Sequence, residues 1–376
     1  MSYALLIISL ISLIVHRSDC TPSPKRLIID TDLFSDVESV KHSHSSLCSL
    51  QLTTTKIQSD IGALLLAATS PSIDLLAVNV NYPSSYSALA ASSVLAHFGH
   101  PNTPIGITRP LSNDTFFDSW FFTLGEYASK VAYHFPGGTL SWDRHAEDAW
   151  DPVALYRKTL AGCPDGNGVT IVSIGYMDNI SALMNSTSDG HSPLSGEELI
   201  AAKVSELVVM GGQYPRGREY NFWGRNASLT AHVVNNWKWP VVYAGFELGE
   251  NVKSGKRLMT EGPQGNPASM AYKWYTYGEP RESWDPLTVL YAIDGLDGDL
   301  FEYGNEVGYN FVHQDGLNEW IYDERVKNQH FLTLKMSEEK ASGEVERRLL
   351  DASWVRSPNY NQDKSAPKTF MKKQGI

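Results

Sequence analysis

Cysteine is scarce: Cys20, Cys48 and Cys163 are the only three in 376 residues. That number excludes a disulfide framework of the kind that staples small secreted domains. Positive charge is short as well, with 31 Lys and Arg against 42 Asp and Glu and a net charge of -11. A partner with a phosphate backbone needs a basic stripe, so nucleic-acid binding is excluded as the main function. Beyond the N-terminus no apolar run approaches the roughly 20 residues of a membrane span. There is no GxGxxG or P-loop fingerprint, and no GxSxG elbow to carry a nucleophilic serine.

What is present begins with ALLIISLISLIV over residues 4–15, short, uncharged and followed by a polar stretch. This reads as the apolar region of a signal peptide, expected over residues 1–20, which makes the mature chain soluble, free of the membrane and secreted. Four N-x-Ser/Thr sequons, at Asn113, Asn179, Asn185 and Asn226, are compatible with export.

A composition of 42% hydrophobic and 19% charged residues suits one large α/β domain, expected over residues 25–350. Apolar runs at 26–30, 73–80, 169–174, 206–210 and 241–246 read as buried parallel strands. Helix-like stretches at 61–68, 87–98, 153–161, 180–184 and 229–236 alternate with them. The alternation predicts an α/β fold: a mainly parallel central sheet with helices on both faces and a Rossmann-like core. Polar residues cluster just past the strand ends: Asp30 and Asp32, Asn79 and Asn81, residues 175–179, and Gly211-Gly212. Such positions build the sites of parallel sheets.

The segment LIIDTDLFSDV at 27–37, continued after an interruption by DIGALLLA at 60–67, resembles the N-terminal signature of the inosine-uridine preferring nucleoside hydrolase family. SIGYMDN at 173–179, LVVMGG at 207–212, Glu219-Tyr220-Asn221 and Trp284-Asp285-Pro286-Leu287 resemble its later motifs in the same order. Carboxylates packed closely repel unless a cation lies among them, and an all-oxygen set suits Ca2+.

The resemblance implies that Asp32, Asp60 and Asp285 ligate calcium with the backbone carbonyl of Ile174, where the family has Thr. It assigns Asn81, Glu219 and Asn221 to the ribose hydroxyls and makes Asp32 the base that takes the proton of the attacking water. The implied reaction is calcium-dependent hydrolysis of the N-glycosidic bond of a ribonucleoside to free base and ribose. Family members often carry His before the late Asp; here that position is Trp284, whose face implies stacking on the base and a leaning to purines. The implied partner is a small nucleoside, and the sequence admits a homo-oligomer.

Residues 38–59, rich in Ser, Thr, His and Gln, separate Val37 from Asp60 where the family runs straight into a helix. A long polar loop inside a compact site is uncommon, and the segment reads as a retained intron. With suitable codons at Glu38 and Ser59, an in-frame excision leaves one Asp and restores an Asp-Asp pair. The competing reading is a secreted nucleoside- or glycan-binding protein that keeps the pocket without catalysis. Residues 353–376, basic and rich in Pro, Asn and Gln, read as a disordered tail.

Overall fold

The computed structural model describes residues 23–33, 59–115, 125–166 and 168–355. The expected signal peptide over residues 1–20, residues 34–37 of the first motif, residues 38–58 of the interruption and residues 356–376 of the expected tail lie outside the described residues. Ser59, which the sequence assigns to the interruption, is instead the first residue of a helix.

Eight strands form the central sheet: β1 (Lys25–Thr31), β2 (Ile73–Val80), β3 (Ile105–Ile107), β4 (Val169–Ile174), β5 (Val204–Met210), β6 (Val241–Ala244), β7 (Phe301–Tyr303) and β8 (Gln329–Leu334). Their spatial order is β7-β8-β6-β5-β4-β1-β2-β3. Every pairing is parallel except that of β7 with β8 at one edge. The expected mainly parallel sheet is therefore observed.

The helices that matter below are α1 (Ser59–Thr69), α2 (Ser85–His97), α3 (Pro152–Gly162), α4 (Asp178–Met184), α5 (Ala227–Asn236), α6 (Pro267–Thr276), α7 (Trp284–Asp294) and α8 (Glu338–Ser353). Because side chains alternate across a strand, β1 sends Leu27 and Ile29 into a core with α1, α2, α6, α7 and α8. Ile28 points the other way, into a core with α3, α4 and α5. Burial on both faces is why β4, VTIVSI, is apolar almost throughout and buried at all six positions.

Two differences from the sequence reading have local causes. The run at 241–246 stops being a strand at Ala244, because the chain turns at Gly245 into a short helix, Phe246–Gly249. A Cβ at Gly245 would lie 2.3 Å from Glu247 Oε1 and 2.6 Å from Tyr214, so only glycine fits that turn. At the far end α8 runs to Ser353, which is buried and whose carbonyl accepts from Asn266 Nδ2 at 3.0 Å, so this first residue of the expected tail belongs to the fold.

Candidate functional site

The strand order runs β3-β2-β1 in one direction and β4-β5-β6 in the other. At such a reversal the connections beyond the C-terminal strand ends part and leave a crevice. Thr31, the last residue of β1, pairs with Ile174, the last of β4. Asp32 and Gly175 follow at once, and Asn81, just past β2, donates its backbone N–H to Thr31 O at 2.8 Å. A Cβ at Gly175 would sit 2.6 Å from Asp32 N and 2.8 Å from Asn81 Oδ1. Glycine there lets three strand ends close on one another.

Asp32, Asp60 and Asp285 are all buried, at 1–3% exposure. Asp60 lies in the first turn of α1 and accepts a hydrogen bond from Thr31 Oγ1, which ties it to the end of β1. Asp285 lies in the first turn of α7. The two helix starts are neighbours, since a Cβ at Gly62 would stand 3.3 Å from Pro286 Cγ. Both carboxylates therefore face the positive ends of helix dipoles. With the buried Ile174 beside Thr31, this all-oxygen, desolvated donor set has the chemistry of a hard-cation site. The resemblance implied that Asp32, Asp60 and Asp285 share one ion; among the described residues no three His, Cys, Asp or Glu side chains are gathered into a metal group.

The three residues assigned to ribose are buried and hold the crevice's own walls. Asn81 Nδ2 donates to Asp30 Oδ1 at 2.5 Å, and its Oδ1 accepts from Tyr176 N at 3.2 Å. Glu219 accepts from Gly212 N at 3.0 Å and from Asn221 N at 2.8 Å, capping the short helix Tyr220–Trp223. Asn221 Nδ2 donates to Met210 O, at the end of β5, at 3.1 Å. Trp284, expected to stack on the base, is 1% exposed and packed. Its indole N–H donates to Phe246 O at 2.6 Å, and its ring lies 5.3 Å from that of Phe246. A Cβ at Gly249 would meet its Cδ1 at 2.5 Å. These contacts make it a core residue next to Asp285, with an edge and a neighbouring ring already engaged.

Sequence reasoning set Asp30 past the end of the first strand as one of several site-building polar residues; it lies inside β1 and organises this end of the sheet. It accepts from Asn81, from Tyr156 Oη at 2.8 Å and from Asn179 Nδ2 at 3.2–3.3 Å. Burial raises its pKa to about 7, against the lowering by these three donors. A carboxylate inside an otherwise apolar strand was the available signal. The bond to Asp30 also buries Asn179, so that sequon is not an accessible glycan acceptor in the folded chain. A residue not anticipated is Tyr127, fully buried and close enough to Asp60 and Asp32 that their charge adds to burial in holding its hydroxyl protonated.

No family model and no curated protein matches the chain. Solved structures do. An inosine-uridine preferring nucleoside hydrolase from Bacillus anthracis is similar at 13% identity, with 86% of this chain and 99% of that one covered and a TM-score of 0.55. A plant nucleoside hydrolase gives 18%, 87%, 99% and 0.59 in the same terms. A purine-preferring ribonucleoside hydrolase from Gardnerella vaginalis gives 17%, 88%, 99% and 0.56. The strand order, the crevice at its reversal and these likenesses over nearly the whole described chain lead to one conclusion: the protein has the fold of the nucleoside hydrolases.

Proposed function

We propose that the chain hydrolyses the N-glycosidic bond of a ribonucleoside, releasing free base and ribose, in a calcium-dependent reaction at the β1/β4 crevice. The reading is supported by a nucleoside hydrolase fold in which Asp32, Asp60 and Asp285 are buried, Asp32 following β1 at the strand reversal and Asp60 bonded to Thr31 at the end of that strand. Asp32, Asp60, Asp285 and the Ile174 carbonyl would hold the ion, which would supply Lewis-acid activation of the attacking water.

The chain's own residues supply the rest. Asp32 takes the proton of the attacking water as its oxygen bonds to the anomeric carbon and the bond to the base nitrogen breaks, the departing base nitrogen taking a proton from solvent. Thr31 fixes the Asp60 carboxylate, and Asp30 fixes Asn81 at the crevice wall. Asn81, Glu219 and Asn221 orient the sugar hydroxyls, the rigidity of their backbone anchors serving positioning. The leaning to purines rests on Trp284, whose packing beside Asp285 leaves the preference to be settled by the substrate series. Export rests on the apolar run at 4–15.

The test is release of free base and reducing sugar from inosine, guanosine, adenosine and uridine, with calcium and after chelation. Turnover with calcium, lost on chelation and in Asp285→Ala, is the expected result. Turnover that survives both refutes the metal assignment, and no release from any nucleoside refutes the activity.

A further inference from the structure

The four N-x-Ser/Thr sequons offer the same acceptor chemistry, and folding sorts them. Asn179 is 2% exposed, and its Nδ2, the atom that would carry a sugar, donates to both carboxylate oxygens of Asp30 at 3.2–3.3 Å. Its Oδ1 accepts from Thr108 Oγ1 at 2.8 Å. A sugar on this nitrogen would replace one of these bonds in a place closed to solvent. Asn185 and Asn226, by contrast, are exposed. Asn185 caps the C-terminus of α4, its Nδ2 donates to the helix's own Ser181 O at 3.0 Å, and Thr187 of its sequon is exposed with it. Asn226 precedes α5, and its Oδ1 accepts from Oγ of Ser228, the hydroxyl residue of its own sequon, at 2.7 Å. Asn113 is exposed as well, but its Thr115 is half-buried and leads into residues 116–124, which lie outside the described residues.

We infer that Asn185 and Asn226 carry N-linked glycans and that Asn179 carries none. The inference rests on the export reading above, because the donor, an oligosaccharide on a lipid pyrophosphate, is met on the export route. In the transfer the Asn Nδ2 bonds to the anomeric carbon of the oligosaccharide. The bond from that carbon to the phosphate oxygen breaks, and the amide gives up one proton as the lipid pyrophosphate departs. A glycan is bulky and strongly hydrated, so a chain that receives one folds only where the acceptor ends in water. At Asn185 the substituted amide keeps one N–H for Ser181 O. At Asn179 a glycan strands a buried carboxylate oxygen of Asp30 and opens the packing between β1 and α4. The two occupied sites stand at opposite ends of one helical layer. Ser181 Oγ lies 2.9 Å from His232 Nδ1 between α4 and α5, and Arg225, next to Asn226, bonds Asp178 in the first turn of α4 at 2.9 Å. Glycans there keep this layer in water, so a second copy of the chain has to pack on another face.

The test exports the full chain from a eukaryotic secretory cell behind its own N-terminus and recovers it from the medium. An amidase that releases N-glycans turns each occupied Asn into Asp, and heavy-oxygen water marks that Asp for fragment-ion sequencing, which separates Asn179 from Asn185 within one peptide. The mark is expected at Asn185 and Asn226 and not at Asn179. Asn185→Gln and Asn226→Gln should each lose the mass of one glycan and still reach the medium. An exported chain unmarked at Asn185 or at Asn226, or marked at Asn179, overturns the assignment while leaving the export reading standing. A chain kept inside the cell with its N-terminus intact overturns the export reading and the glycans together.

Discussion

Glu219 separates two roles that a motif cannot tell apart. The resemblance makes it a ribose ligand; the structure makes it a clamp, fully buried, with one carboxylate oxygen accepting from Gly212 N at 3.0 Å and the other from Asn221 N at 2.8 Å. Glu219→Gln preserves the shape and removes the charge and one acceptor. Each charge-assisted bond contributes about 1.5–3 kcal/mol, a neutral replacement about 1 kcal/mol, and a backbone N–H turned against the new amide N–H2 costs a further 1–3 kcal/mol. The net expectation is a loss of about 3–8 kcal/mol of stability. It reads out as a lower urea midpoint at unchanged m-value. Because the same bonds hold the Gly212 turn and the Asn221 backbone, KM for inosine should rise in parallel. A variant with the wild-type midpoint and a raised KM alone would refute this reasoning and make Glu219 chiefly a ligand contact.

Three further outcomes follow from the site. Asp30 binds its proton up to about pH 7 in the folded chain and only to about pH 4 in the unfolded one, so the native state holds the extra proton between these values. Stability should therefore fall as pH rises from about 4 to about 7, with a flatter slope in Asp30→Asn; a wild-type slope in that variant places the titration elsewhere. Trp284→Phe removes the indole bond to Phe246 O and should cost about 1–3 kcal/mol of stability; a fall in the ratio of purine to pyrimidine turnover supports the stacking role, and an unchanged ratio refutes it. A chain with a single Asp in place of residues 38–59 should turn over nucleosides faster than the full chain, and equal rates would make the segment a tolerated insertion.

Much of the scaffold was legible from the residues. A strand buried on both faces must be a continuous apolar run, so the spans 73–80 and 169–174 coincide with β2 and β4. The alternation with helices implied the parallel sheet, and the placing of polar residues past strand ends brought Asp32 and Asn81 to the crevice. The three-stranded antiparallel sheet of Arg216–Arg218, Tyr309–Val312 and Leu317–Ile321 went unread, because its strands are short and only partly buried. What each polar residue does was not legible either, since a side chain's role is set by the partners that folding brings to it. Asp30 meets Tyr156 and Asn179 across 126 and 149 residues of chain, and Tyr127 reaches the acids through a segment with no pattern of its own. Sequence alone determined which strands would be covered on both sides and where their polar ends would fall. Only the tertiary structure decided that Glu219 clamps two backbone amides, that Trp284 is packed in the core and that one tyrosine hydroxyl is left unpaired beside two carboxylates, because desolvation and hydrogen bonding act between neighbours in space.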